Sequence, residues 1–89
     1  MIRFDPAKRL RTLEQRGLDF RDAESVFAGP TIEVSDRRRD YGEDRIVCFG
    51  WLRGRAVIVV YTERNGIRHI ISMRKANERE QRRFFPDLY

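Results

Sequence analysis

The stretch Arg55 to Lys75, RAVIVVYTERNGIRHIISMRK, places two apolar runs on either side of Asn65-Gly66. Both residues of that dipeptide accept φ > 0, as a two-residue type I′ turn requires, so the stretch reads as a β-hairpin. Such a turn fixes the register. Arg64 faces Ile67, Glu63 faces Arg68, Thr62 faces His69 and Tyr61 faces Ile70. In an unbroken ladder Val60 then faces Ile71, Val59 faces Ser72, Ile58 faces Met73 and Val57 faces Arg74. Opposed residues share a face, and faces alternate along each strand. One face would carry Ile58, Val60, Ile67, Ile71 and Met73, with Arg64, Thr62 and His69 towards the turn. The other would carry Tyr61, Glu63, Arg68, Ser72 and Arg74 among Val57, Val59 and Ile70. The first is expected to be core and the second a floor bearing polar groups.

The flanks supply the remaining elements. Met1 to Phe4 is a short apolar start suited to an edge strand. Asp5-Pro6 is an N-cap followed by Pro at the first helical position. Ala7, Leu10 and Leu13 recur as the apolar face of a first helix, which Gly17 ends. Asp19 caps a second helix with Phe20, Ala23, Val26 and Phe27 inward, ended by Gly29-Pro30. Thr31 to Val34 and Arg45 to Leu52 are strands around a polar loop, Ser35 to Asp44, that holds Arg37 to Arg39. This run suits a solvated loop or a phosphate contact. Arg53-Gly54 is a tight turn. Asn77 with Glu80 has the spacing of a capping box, and Pro86 ends the last helix. The order β-α-α-β-β-β-β-α implies an α+β domain: a small antiparallel sheet with two N-terminal helices on one face and a C-terminal helix. The second sheet face stays partly open unless that last helix or a partner covers it.

A chain of 89 residues, 40% apolar with ten aromatics, can bury one core. Nineteen Lys and Arg against fourteen Asp and Glu give a net charge of +5, and nine basic against three acidic residues fall between Arg53 and Arg83. A polyanion partner and a merely solvated surface both explain that excess. The single cysteine, Cys48, excludes an internal disulfide and reads as a buried, inert thiol. No apolar segment precedes the first charges and none is long enough to span a bilayer, so the expected location is cytoplasmic, with no membrane partner.

One His and one Cys leave no His/Cys zinc set, and no glycine-rich loop has P-loop spacing. No metal site and no cofactor are expected. Ser72 and His69 fall on opposite faces, which argues against a Ser-His-Asp triad, and His69 reads as a hydrogen-bonded histidine at the sheet edge beside Thr62 in preference to a general base. The polar face suits a phosphodiester. Arg68 and Arg74 on that face, with Arg64 at the turn, can clamp non-bridging oxygens, Arg74 being placed to stabilise the transition state. Tyr61 or Glu63 can move the proton of a ribose 2′-hydroxyl, and Ser72 can orient Arg74 or a phosphate. Lys75, Arg79 and Arg55 add RNA-binding charge. The plainer alternative is a Glu63–Arg68 cross-strand ion pair and a packing role for Tyr61.

Four stretches carry a family resemblance: FDPAK at Phe4 to Lys8, GLDFRDAESVF at Gly17 to Phe27, YGEDRIVCFG at Tyr41 to Gly50, and VIVVYTER followed by RHIISMRKANERE. The last matches at Tyr61, Thr62, Arg64, Arg68, Ile71, Ser72, Arg74, Ala76 and Glu80. The chain resembles the BrnT family, the toxin half of BrnT/BrnA toxin–antitoxin systems. Two places depart from the family pattern. Its first helix usually ends N-x-x-K-H-G, where this chain has Thr12, Gln15, Arg16 and Gly17, and its opening Trp is Phe4. The resemblance implies a RelE-like fold over residues 1–89 as a single toxin domain. It implies a metal-independent endoribonuclease that arrests translation by cutting RNA. It also implies a BrnA-like ribbon-helix-helix antitoxin, through which alone the complex would bind promoter DNA. A non-catalytic RNA-binding or protein-interaction module on the same basic face is the alternative.

Overall fold

The computed structural model describes residues 1–38 and 42–88. The elements are β1 (Ile2–Phe4), α1 (Pro6–Arg16), a 3-10 turn (Phe20–Asp22) running into α2 (Ala23–Ala28), β2 (Ile32–Asp36), β3 (Arg45–Leu52), β4 (Arg55–Arg64), β5 (Ile67–Lys75) and α3 (Glu78–Phe84). The order is the expected one. The second helix begins as 3-10, and β2 extends to Asp36 where the sequence suggested a stop at Val34. Of the arginine run, Arg39 lies outside the described residues, as does Tyr41 of the YGEDR stretch.

Local side-chain chemistry sets the boundaries. The Asp5 carboxylate accepts the Ala7 N–H at 3.0 Å in front of Pro6. Asn77 accepts the Glu80 N–H at 2.8 Å, and Glu80 accepts the Asn77 N–H at 2.9 Å, which completes the capping box. Asn65 and Gly66 take φ of 53° and 76°, the backbone of the expected type I′ turn.

The strands form one sheet in the order β1-β5-β4-β3-β2. Neighbours from β2 to β5 pair antiparallel, whereas β1 lies parallel to β5 with Ile2 beside Arg68. The sheet is therefore mixed, and the expectation of a purely antiparallel one fails at this edge. The chain leaves β1 through the helices and re-enters at the opposite edge. Successive antiparallel steps then return β5 to β1 in the same direction.

Both sheet faces carry core. On one, Phe20, Ala23 and Val26 pack against Cys48, Val57, Val59, Tyr61, Ile70 and Met73. Gly50 permits the close seat of α2 on β3, because a Cβ there would stand 2.7 Å from Val26 Cγ1. On the other face Phe85 and Leu88 cover Phe49, Ala56 and Ile58, with Phe84 stacked on Phe49 at 4.0 Å. The α3 segment thus closes part of the face expected to be open.

Helix α1 does not join either core. Its expected apolar face is only partly covered: Ala7 is exposed, Leu10 is 50% exposed, Leu13 is half-buried, and no residue of the helix is fully buried. Periodicity tells which residues share a side but not what that side packs on. Polar ties hold the helix instead. Arg9 grips Asp19 through two bonds of 2.8 and 2.9 Å, and Arg16 Nη1 donates to the Met73 carbonyl at 3.0 Å. The Arg9 guanidinium keeps the Asp19 carboxyl well below the usual carboxylate range.

Candidate functional site

The β4–β5 ladder is regular from the turn to Tyr61 opposite Ile70, but the next residue, Val60, pairs with Ser72. Ile71 is the extra residue of a β-bulge. Beyond it Val59 pairs with Met73, Ile58 with Arg74 and Val57 with Lys75. The expected five-residue polar face is therefore split. Tyr61, Glu63 and Arg68 stay on the α2 side, while Ser72 and Arg74 move to the face that carries Arg64, Thr62 and His69.

The α2-side group is a packed clasp. Tyr61 is 3% exposed and its hydroxyl donates to Glu33 Oε2 at 2.8 Å. Its ring meets Phe27 edge-on with centroids 5.2 Å apart. The Arg68 guanidinium stacks over Phe27 at 4.3 Å and lies 5.4 Å from the Tyr61 ring. Burial, and then the bond to the Glu33 carboxylate, push the Tyr61 phenol up to about 12. Such a phenol is a hydrogen-bond donor at neutral pH and a poor base. Glu63 is exposed, and no ion pair joins it to Arg68 among the described residues. Cys48 is buried, and burial drives its thiol up to about 12, in line with an inert role.

On the other face two arginines are held in bidentate forks. Arg64 binds Glu43 at 2.9 and 2.8 Å, and Arg74 binds Glu80 at 2.8 and 2.7 Å. Each fork raises the arginine's pKa and lowers that of its carboxylate. Glu80 thus serves both Arg74 and the Asn77 cap. Thr62 donates to the Asp44 carbonyl at 2.6 Å, and the His69 imidazole, expected to be hydrogen-bonded, makes no hydrogen bond among the described residues.

This face and α1 form the two walls of a basic groove. One stretch, about 350 Å³, is lined by Lys8, Arg11, Thr12, Gln15 and Arg16 from α1, by Val60, Ile71 and Ser72, and by Asp36, Arg38 and Arg45. A second, about 390 Å³, is lined by Arg3, Asp5, Lys8, Thr62, Arg64, His69 and Ile71 among others. Lys8 and Ile71 belong to both, which makes them adjoining parts of one channel. The positions that depart from the N-x-x-K-H-G pattern, Thr12, Gln15 and Arg16, all line it. Sequence reasoning missed Lys8 and Arg11. Their spacing of three on a helix was the available signal. Arg55 and Lys75 line a separate cleft with Trp51 and Gln81, and Arg79 is exposed on α3. Among the described residues no group of three or more His, Cys, Asp or Glu side chains could hold a metal ion. No described helix is long and apolar enough to cross a membrane.

The fold and groove define a small α+β protein with a channel suited to a polyanion. The family model for the ribonuclease toxin BrnT of type II toxin–antitoxin systems matches residues 4–80, and the chain belongs to that family. No curated protein matches it. The family supplies the general activity, RNA cleavage, and the general context, a toxin paired with an antitoxin.

Proposed function

We propose that residues 1–89 act as a single cytoplasmic toxin domain that cuts RNA internally, without a metal, and so stops translation. The substrate's own 2′-hydroxyl attacks the adjacent phosphorus, and the protein supplies binding and charge stabilisation. Arg74 and Arg64 hold non-bridging oxygens, Ser72 orients a phosphate, and Lys8 and Arg11 hold flanking phosphates. Tyr61, Glu63 and Arg68 belong to the fold in this reading, because they lie on the far side of the sheet. A BrnA-type ribbon-helix-helix antitoxin neutralises the toxin, and the complex reaches promoter DNA through that antitoxin. The observation that carries the reading is the basic groove, which lies on the strand where the family likeness is densest.

Incubation of purified protein with RNA, with and without EDTA, tests it. Cleavage is expected in both. Arg74→Ala is expected to lower kcat/KM by roughly 10²-fold, as loss of one charge-stabilising donor does. Unchanged cleavage by Arg74→Ala would remove Arg74 from the mechanism. One observation favours a second reading, a non-catalytic RNA-binding module: Arg64 and Arg74 already grip carboxylates. That reading predicts salt-dependent RNA affinity without strand scission.

A further inference from the structure

With Tyr61 buried as a donor and Glu63 on the opposite face, the groove needs another group to take the 2′-hydroxyl proton. We propose that His69 is that group. The inference rests on the ribonuclease reading above and deepens it.

His69 is the chain's one histidine, and it lines the groove half-buried. It lies in β5 between Arg3 of β1 and Thr62 of β4, its direct partners across the two ladders. It shares a face with Arg64, and the bulge brings Ser72 and Arg74 to that same face. Arg64, two residues beyond Thr62, is its diagonal neighbour, at a spacing of roughly 7–8 Å that long side chains can bridge. Ser72 lies within about 10 Å along the strand. A phosphodiester held between Arg64 and Ser72 therefore passes over the imidazole. The charged groups around it are Arg3 from β1, Asp5 and Lys8 from the start of α1, Arg64 from β4, and Glu43 from the loop before β3. The surplus there is cationic, which draws the phosphate in.

In the step assigned to it, an imidazole nitrogen takes the 2′-hydroxyl proton as the 2′-oxygen bonds to phosphorus. The P–O5′ bond breaks, and the leaving 5′-oxygen takes a proton from water. The imidazolium returns its proton to the hydroxide so formed. The products are a 2′,3′-cyclic phosphate and a free 5′-hydroxyl.

The test is a pH–rate profile on an unstructured RNA oligonucleotide, with binding followed separately on its uncleavable 2′-O-methyl analogue. Wild type is expected to show a limb on which kcat rises with pH, as a general base gives. His69→Gln, and His69→Asn as a second variant, are expected to lose that limb and roughly 10²–10⁴-fold in kcat, with analogue affinity unchanged. Added imidazole is expected to restore part of the rate in His69→Gly. Both side-chain variants retaining the wild-type rate and profile would overturn the role of His69 and leave the ribonuclease reading intact. An equal loss of analogue affinity would make His69 a binding residue and overturn it too. No cleavage by wild type at any pH would overturn both readings together.

Discussion

Tyr61 shows how far a side chain's chemistry depends on where the backbone puts it. In sequence it stands among arginines and a glutamate, the company of a proton-transfer group. In the structure its ring is sealed against Phe27 and its hydroxyl is spent on Glu33. A phenol pushed up to about 12 gives up its proton far above neutral pH. Tyr61→Phe is therefore expected to cleave RNA within about twofold of wild type while losing about 1 kcal/mol of stability, the net worth of one hydrogen bond. Parallel urea titrations and cleavage rates separate the two effects. A rate loss larger than tenfold at unchanged stability would return Tyr61 to the reaction. Arg74 is the reverse case. Its fork with Glu80 neutralises it at rest but also fixes its orientation, with its side chain still 42% exposed. The part that remains open is what a phosphate can reach.

The element that decides the site is the bulge in β5. Because Ile71 is surplus, deleting it leaves Tyr61 opposite Ile70 and Val60 opposite Ser72, with the same faces on either side. What disappears is the local bend and twist, together with the side chain shared by both stretches of the groove. The chain lacking Ile71 is expected to fold, with β-rich circular dichroism and a cooperative melt, but to cleave RNA at least tenfold more slowly, the scale of loss that misplaced binding groups produce. Full activity would mean that the bend is irrelevant. The bulge also marks where the sequence stopped being legible. Caps and turns could be read because Asp5, Asn77, Glu80 and Asn65-Gly66 act on their own backbone within a few residues. The bulge could not, because Ile70 and Ile71 are both apolar and both sheet faces carry core. Alternation then gives no sign of where an extra residue is absorbed. Arg64, Ser72 and Arg74 were named from sequence, and Arg64 was placed on the face of His69, but Ser72 and Arg74 joined that face only with the observed register. Lys8 and Arg11 needed the position of α1, which polar ties set rather than an apolar stripe.

Across the whole molecule, ion-pair forks join what the cores do not reach. Arg9–Asp19 ties down α1, Arg64–Glu43 holds the loop before β3, and Arg74–Glu80 holds the start of α3. Asp19, Glu43 and Glu80 are all depressed by these partners. A depressed carboxyl contributes stability that is fully present above its unfolded value, about 4, and is lost as pH falls through the folded value. Cys48 and Tyr61 are raised, so their unfolded forms ionise first and stability declines as pH climbs from about 8.5 upward. Urea midpoints are thus expected to be level between about pH 5 and 8 and to fall on both sides. The acid limb has a structural order. With no buried residue, α1 depends on the Arg9–Asp19 fork and on the Arg16 bond to the Met73 carbonyl, whereas β4 and β5 sit in two cores. As pH falls through the folded Asp19 value, hydrogen exchange is expected to show α1 amides losing protection before those of β4. At neutral pH the same release should follow from Asp19→Asn, which removes the charge that holds Arg9 but keeps an acceptor for the Arg21 N–H. Because Lys8, Arg11 and Arg16 form one wall of the groove, that variant is expected to bind RNA several-fold more weakly and to unfold at a lower urea midpoint, since the stability supplied by the depressed carboxyl is lost. Wild-type affinity with exposed α1 amides would show that the helix is dispensable to the groove, and would place RNA on the sheet face alone.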